Sequence, residues 1–185
     1  MTNPTTDLLI DIEQADLRYS TFWQRFLAII VDALVLTPFV IADSFNKSGW
    51  KSLPLSMAIL AVTVVYKPFM EAKYGATLGK MALGLTIINT DYERADLKNV
   101  LLRNIIDIVS RLLTGLITVM AFSSADFLNV ESFSQYSAVA NAVGAVTILY
   151  LTSGIGLVDA IVLIADSTKR RALHDRIGQT LVVHK

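Results

Sequence analysis

Cysteine is absent from the 185-residue sequence, and histidine occurs only twice. The lack of cysteine excludes disulfides, thiol catalysis, iron–sulfur clusters and cysteine-ligated zinc. Two histidines are too few for a multi-histidine metal site, so we expect neither a metal nor another cofactor. Net charge is also absent, because 16 Lys and Arg residues balance 16 Asp and Glu residues. This balance gives no electrostatic reason to expect nucleic-acid binding.

Charged residues are scarce and apolar residues abundant. They make up 17% and 54% of the chain, and the mean hydropathy is +0.54. A soluble domain has about 25% charged residues. A helix that spans a bilayer needs about 20 mostly apolar residues. The sequence therefore predicts an all-α integral membrane protein with four transmembrane helices, at about residues 22–42, 53–69, 100–122 and 138–165.

The third run is less uniformly apolar than the others. Arg103, Asp107, Arg111, Thr114 and Thr118 recur every three or four residues and form one stripe on a helix. One interpretation is an amphipathic helix that lies in the membrane interface. We expect the helix to span, because the stripe is narrow and the following loop carries no positive charge.

The distribution of basic residues predicts the orientation. Residues 123–137 contain no Lys or Arg. The basic residues concentrate in the segment after the second run and in the tail: Lys73, Lys80, Arg94, Lys98, Lys169, Arg170, Arg171, Arg176 and Lys185. Because positive loops stay in the cytoplasm, we expect a multi-pass protein with both termini cytoplasmic. Residues 1–17 form a polar amino-terminal tail and residues 18–185 the membrane domain.

Two short segments outside the runs have strand-forming composition. They are residues 83–89 and residues 180–184. A lone strand cannot satisfy its own backbone polar groups. The sequence therefore predicts that the two segments pair as a small cytoplasmic two-stranded β element.

Six charged residues fall inside the predicted spans: Arg25, Asp32, Arg103, Asp107, Arg111 and Asp159. A charge in mid-bilayer costs about 2.5–3.5 kcal/mol on insertion scales, so we expect these residues to meet inside the bundle. The helical rise places Asp32 beside Arg111. Asp159 has fewer Arg neighbours and is the better candidate for titration. The set is either a proton or cation path or a structural salt-bridge network.

The tail contains the pair His174 and Asp175. A zinc site needs three or four ligands, so we do not interpret the pair as a metal site. We expect Asp175 to anchor the cytoplasmic tail through Arg170 or Arg171. No span contains a His-, Cys- or Ser-based nucleophile arrangement, so we do not expect an enzyme.

Four sequence blocks resemble the RDD family of small bacterial membrane proteins, over about residues 18–184. The blocks are Arg18 to Asp32 with Arg25 inside it, Thr77-Leu-Gly79-Lys80 within Gly75 to Leu85, Leu102-Arg103-Asn104, and Leu173-His174-Asp175 within Arg171 to Thr180. The resemblance implies a protein of the bacterial inner membrane. Many family members have three spans in the core region, whereas this sequence predicts four.

The resemblance also implies one possible activity, because some members of the family are reported as sodium/proton-type antiporters. The first hypothesis is therefore a cation/proton antiporter that exchanges Na⁺, K⁺ or Li⁺ for protons within the lipid bilayer. Four spans are few for a monomeric transporter, so this hypothesis also predicts a homo-oligomer. The alternative is a non-transporting membrane scaffold or accessory subunit, whose buried salt bridges only hold the bundle together.

Overall fold

The computed structural model describes residues 17–166 and 170–185. Most of the predicted polar tail at residues 1–17, and Lys169 of the predicted basic run, lie outside the described residues. The described elements, in chain order, are helix α1 (Phe22–Phe45), a π-helical turn (Asn46–Trp50), α2 (Leu53–Tyr74), α3 (Leu78–Ala82), β1 (Leu85–Asn89), α4 (Leu97–Ser123), a 3-10 turn (Ala125–Asn129), α5 (Phe133–Ala142), α6 (Ala145–Ala165), α7 (Leu173–Ile177) and β2 (Thr180–His184).

Four helices of the described residues are long and apolar enough to cross a membrane. They comprise α1 together with the π-helical turn, α2, α4 and α6. Their 18-residue windows have mean hydropathies between 1.6 and 2.2. The four predicted spans are confirmed at this level. The third run forms a helix of 27 residues, which is long enough to span rather than only to lie in the interface.

The boundaries of two spans differ from the prediction. The second helix continues beyond residue 69 to Tyr74 and ends at Gly75, whose φ of +75° suits a glycine C-cap. The fourth predicted span, residues 138–165, is wrong as a single helix. Gly144 at φ +105° separates α5 from α6, and the predicted outer loop contains a 3-10 turn and the start of α5. Hydropathy missed this break because the residues around Gly144 remain apolar.

Local capping explains where the helices begin. Thr21 and Gln24 form a reciprocal capping box at the start of α1. Asp96 accepts a hydrogen bond from the Asn99 N–H at the start of α4. The Thr77 side chain accepts one from the Lys80 N–H at the start of α3. These polar caps fix where α1, α3 and α4 begin, at the end of the bundle where the strands lie.

The two strands pair, as predicted, and their pairing is antiparallel. The register runs from Leu85 opposite His184 to Asn89 opposite Thr180. Tyr19 makes an isolated bridge to Val183, so the segment before α1 also contacts β2. Leu85, Ile87, Val100 and Val182 bury their side chains together beneath the sheet. The sheet therefore fixes one end of the helix bundle, which we call the sheet end.

Candidate functional site

A buried ionic network lies at the sheet end, and Asp175 of α7 is at its centre. Its carboxylate pairs with both Arg25 of α1 and Arg103 of α4, and accepts a hydrogen bond from the Ala172 N–H at 3.0 Å. Burial raises the pKa of Asp175, but the charges of Arg103 and Arg25 outweigh it and hold that pKa below its usual value. Asp175 therefore stays ionised and joins α1, α4 and α7.

Asp175 does anchor the tail, but the partners predicted from sequence are wrong. Arg170 and Arg171 contribute main-chain groups near it instead. The Arg170 carbonyl accepts from Arg25 Nη2 at 2.7 Å, and the Arg171 N–H donates to Asp166 at 3.1 Å. Sequence proximity favoured the neighbouring arginines. The fold instead brings Asp175 to Arg25 and Arg103, whose buried charges need a carboxylate partner.

The same network extends to α2 and α3. Glu71, fully buried, accepts from Lys80 Nζ at 2.5 Å and from Asn104 Nδ2 at 2.7 Å, and lies 3.5 Å from Arg103 Nε. Burial lowers the pKa of Lys80 to about 8, against the opposing effect of Glu71. We call this set of Arg25, Glu71, Lys80, Arg103 and Asp175 the buried network.

The sequence analysis missed Glu71 and Lys80. Glu71 lies beyond the predicted end of the second span at residue 69, and Lys80 was counted only among the basic residues that predict the orientation. A signal was present, since Glu71 lies only two residues beyond that predicted end. A carboxylate so close to a span is a candidate for burial inside the bundle. A lysine follows it within ten residues and could pair with it.

Asp32 has different partners from those predicted. Its carboxylate accepts from Tyr66 Oη at 2.8 Å, from Thr77 Oγ1 at 2.6 Å and from the Gly79 N–H at 2.8 Å. The predicted pair with Arg111 is therefore wrong. Helical rise gives a position for Asp32 along α1, but it cannot show that α3 packs against α1. The carboxylate therefore accepts from neutral donors instead of pairing with Arg111.

A second, looser group of charges lies further along the helices. Asp107 of α4 is 3.9 Å from Lys67 Nζ and 3.5 Å from Arg111 Nε. The exposed fractions of the three side chains are 38%, 35% and 35%. These distances are long for hydrogen-bonded ion pairs, and the exposure is far greater than in the buried network. The Asp107 carboxylate therefore remains open to another cation.

Asp159 of α6 faces His174 of α7. Nδ1 of His174 lies 2.7 Å and 2.8 Å from the two Asp159 carboxylate oxygens, and the His174 N–H donates to Asp159 at 3.0 Å. Nε2 of His174 lies 3.3 Å from Asp175. Burial and the Arg103 charge lower the pKa of His174, although Asp175 and Asp159 oppose them. The histidine thus connects Asp159 with the edge of the buried network.

Two adjoining cavities follow this second group. One, of about 210 Å³, is lined by residues that include Lys67, Asp159 and His174. The other, of about 410 Å³, is lined by residues that include Arg111, Thr114 and Asn141. Both cavities are lined by Asp107, Ser110 and Thr152. Because they share these residues, the cavities form one continuous surface between α4 and α6, with polar side chains set in a largely apolar lining, which we call the polar seam.

The six charged residues predicted inside the spans therefore divide into separate groups. Arg25 and Arg103 belong to the buried network with Asp175, and Asp32 is saturated by α3 and Tyr66. Asp107, Arg111 and Asp159 line the polar seam, together with His174. Arg103 also lines the smaller cavity of the seam, whereas Arg25 and Asp32 line neither cavity.

Comparison with known proteins gives one result. The family model described as the RDD family matches residues 19–179, which is most of the chain. No curated protein and no solved structure matches the chain. The matched range contains α1 to α7 and β1, with the buried network and the polar seam. The chain, with its four apolar helices and small antiparallel sheet, therefore belongs to the RDD family of membrane proteins.

Proposed function

We propose that the protein exchanges a monovalent cation, Na⁺, K⁺ or Li⁺, for protons across the membrane, and that the polar seam is its path. The observation that carries this proposal is the position of Asp107. Its half-exposed carboxylate lines both cavities of the seam and is paired only loosely with Lys67 and Arg111. An ionisable residue inside a span that faces a cavity is typical of ion pathways.

The seam offers a physical basis for exchange. A cation that binds the Asp107 carboxylate competes with Lys67 and Arg111 for the same negative charge. In a poorly solvated site an additional uncompensated charge is costly. Cation entry therefore favours loss of one proton from the seam, at the Asp159–His174 pair. The seam therefore gains the positive charge of the cation and loses the positive charge of the proton. The reverse exchange returns the seam to its initial protonation state.

The buried network supports this path structurally in our proposal. Each carboxylate of the network has at least two cationic or neutral donors within reach. Asp32 likewise has three donors. Such groups have little free capacity for a transported ion. We therefore assign Arg25, Asp32 and Arg103 to positioning, and Asp107, Asp159 and His174 to the path.

We further propose an orientation with the sheet end and both termini in the cytoplasm of a bacterial inner membrane. The support is the excess of basic residues at the sheet end and their absence from residues 123–137. The seam is bounded by only three of the long helices, α2, α4 and α6. A second copy would supply the missing wall, so we propose a homo-oligomer as the transporting unit.

The second candidate function is a non-transporting scaffold or accessory subunit. The observation that favours it is the buried network itself. Arg103 and Asp175 are 1% and 0% exposed, and the network joins α1, α2, α3, α4 and α7. A structural role would need nothing beyond this network, and the seam would then be only an imperfectly packed region between two helices.

Flux measurements distinguish the two functions. Inside-out vesicles from cells that lack their own antiporters would be energised, and proton release on addition of Na⁺, K⁺ or Li⁺ would be followed with a pH-sensitive dye. We expect flux from the wild type, and its loss in Asp107→Asn and Asp159→Asn at equal membrane abundance. The matched control Asp126→Asn removes an exposed carboxylate outside the seam and should retain flux.

The result that would overturn antiport is a well-folded wild type with no flux above empty vesicles for any of the three cations. Loss of flux in Asp126→Asn as well would attribute the loss to general damage and contradict the assignment of the path. Wild-type flux that persists in both seam variants would separate transport from the seam, and would require another route through the bundle.

A further inference from the structure

A basic cleft opens at the sheet end, where the chain enters α1. Its volume is about 690 Å³, and it is lined by Arg18, Tyr19, Thr21, Gln24, Arg170, His184 and Lys185. None of these lining residues is acidic. Neither the Arg18 nor the Arg170 side chain has an ion-pair partner among residues 17–166 and 170–185. Two arginines thus line one cleft, and neither is paired with a carboxylate of the described residues.

Main-chain bonds fix both arginines at the cleft. The Arg18 carbonyl accepts from the His184 N–H at 2.9 Å, which ties it to β2. The Arg170 carbonyl accepts from Arg25 Nη2 at 2.7 Å, which ties it to the buried network. The backbones are therefore fixed by the fold, while the guanidinium groups remain available. A group that is positioned in advance in this way loses less entropy when a ligand binds.

An apolar cleft adjoins the basic one and shares Thr21 and Arg170 with it. It has a volume of about 370 Å³ and is also lined by Phe22, Leu163, Ile164 and Asp166. The exposed fraction of Ile164 is 64%. The single acidic residue, Asp166, accepts from the Arg171 N–H at 3.1 Å and from Arg176 at 3.3 Å. Its carboxylate is therefore already engaged by donors from the tail.

We propose that this double cleft binds one anionic phospholipid, with the phosphate between Arg18 and Arg170 and an acyl chain along Phe22, Leu163 and Ile164. The juxtaposition of the two clefts carries the proposal: the basic part is lined by the segment before α1, the first turn of α1 and the tail, and the apolar part by Phe22 at the start of α1 and by Leu163 and Ile164 at the end of α6. Arginine binds phosphate oxygens in bidentate fashion. Basic clefts between transmembrane helices at the cytoplasmic side suit anionic headgroups.

A free phosphate would use only half of the site. It could bind the two guanidinium groups but would leave Phe22 and Ile164 uncovered. A zwitterionic lipid would cover the apolar cleft but would bring its own positive charge to the arginines. An anionic phospholipid satisfies both parts. The inference is independent of transport, because the double cleft shares no lining residue with the polar seam.

The test is lipid binding to the full chain in a mild detergent, measured by native mass spectrometry. Palmitoyl-oleoyl phosphatidylglycerol would be titrated against palmitoyl-oleoyl phosphatidylcholine, with inorganic phosphate as a soluble competitor. We expect tighter binding of phosphatidylglycerol and no displacement by inorganic phosphate at equal concentration. Arg18→Gln and Arg170→Gln should each weaken phosphatidylglycerol binding about fivefold, from the loss of one juxtamembrane charge.

Two further variants keep the test specific. Lys98→Gln removes the same charge from an exposed position that lines none of the clefts, and it should bind like the wild type. Arg18→Lys retains the charge and should recover most of the affinity. For a readout that needs no variant, a phosphatidylglycerol with a photoactivatable acyl chain should cross-link to peptides that contain Phe22 or Ile164.

Each contrary result overturns the proposal. Equal binding of the two lipids would remove the role of charge. Displacement by inorganic phosphate would identify a phosphate site without a lipid. Equal weakening in Lys98→Gln and Arg18→Gln would reduce the effect to general surface charge. Should the arginine variants fail to fold, cross-linking of the wild type away from Phe22 and Ile164 would still contradict the site.

Discussion

Arg103 of α4 and Asp175 of α7 form an ion pair across 72 residues of sequence, and their side chains are 1% and 0% exposed. Arg103 also contacts Glu71 of α2, and Asp175 also pairs with Arg25 of α1. One guanidinium and one carboxylate thereby join four helices. Because neither ion can reach water, each depends on the other for compensation of its charge.

Removal of the Asp175 charge should strongly destabilise the protein. Asp175→Asn leaves Arg25 and Arg103 buried with one carboxylate fewer, and loss of one partner from a buried pair costs about 3–5 kcal/mol. We expect a large fall in the midpoint of thermal unfolding in detergent. Asp126→Asn, at an exposed position, makes the same chemical change and should leave the midpoint unchanged. Equal midpoints for the two variants would contradict a stabilising network.

The close contact of α3 with α1 makes a second prediction. A Cβ at Gly79 would lie 2.0 Å from the Ala28 carbonyl oxygen, and no neighbouring side chain can move to relieve this contact with backbone. Gly79→Ala should therefore separate α3 from Asp32. Overpacking costs about 1–3 kcal/mol. The control is Gly154→Ala in α6, where no heavy atom lies within 4 Å of the added Cβ.

The Gly79 prediction would be contradicted by a variant as stable as Gly154→Ala. Thermal unfolding followed by intrinsic fluorescence gives the stability. Limited proteolysis of the segment between α2 and β1 gives a local measure, since displacement of α3 exposes that segment. A fall in stability without faster cleavage would place the damage elsewhere than at the contact between α3 and α1.

Much of the fold could be predicted from the sequence, because hydropathy and strand composition are local properties. The four apolar helices and the pairing of residues 85–89 with residues 180–184 followed from such signals. The break at Gly144 could not be predicted in this way, because hydropathy does not change where one apolar helix ends and the next begins. The break lies at one residue, Gly144, whose φ is positive.

The candidate site was harder to predict, because its pairings are tertiary. Helical rise gives a position for Asp32 along α1, but this position alone cannot tell which helix packs against it. Thr77 and Gly79, at the start of the short helix α3, supply two of its donors, and no local signal in the sequence predicted α3. Glu71 was missed because the second span was predicted to end at residue 69, and Lys80 because its burial depends on the tertiary contact with Glu71.

If the polar seam holds water, a cysteine placed there should react with charged thiol reagents. The chain has no native cysteine, so single substitutions need no background removal. Ser110→Cys lies on both cavities of the seam, whereas Leu112→Cys lies on α4 with 58% exposure and outside both. Because only the thiolate reacts, we expect Ser110→Cys to be labelled about tenfold faster or more.

Labelling by a membrane-impermeant methanethiosulfonate, stopped at several times and read by mass, measures the two rates. Leu112 is the more exposed of the two residues in the absence of lipid, so exposure alone would predict faster labelling at Leu112. Slow labelling at Ser110 and Leu112 alike would mean that the seam is dry in the bilayer. That outcome would favour the scaffold function.

The contact between Asp159 and His174 predicts a pH dependence with a definite sign. Burial and the Arg103 charge lower the pKa of His174 from 6.5. Just below pH 6.5 the unfolded chain therefore binds more protons at this residue than the folded chain does. The contribution of His174 to the free energy of unfolding falls as pH falls through that window, and is recovered as pH rises above it.

Histidine-selective NMR of the full chain in micelles measures this pKa, and His184→Gln assigns the signal. We expect the pKa of folded His174 to lie below 6.5. Asp159→Asn should lower it further, because the Asp159 hydrogen bond favours the protonated ring. A pKa at or above 6.5 in the wild type, or a rise in the variant, would contradict this account of the pair.

The proposed orientation is tested by two exposed aspartates at opposite ends of the bundle. Asp91 lies in the turn after β1 at the sheet end, and Asp126 lies in the 3-10 turn between α4 and α5. Only the first is flanked by basic segments, and positive segments remain in the cytoplasm. With an impermeant maleimide, Asp126→Cys should be labelled in intact cells and Asp91→Cys only in inside-out vesicles. The opposite pattern would invert the protein and place the proposed lipid cleft in the outer leaflet, whereas labelling of both in intact cells would indicate that α4 does not cross the bilayer.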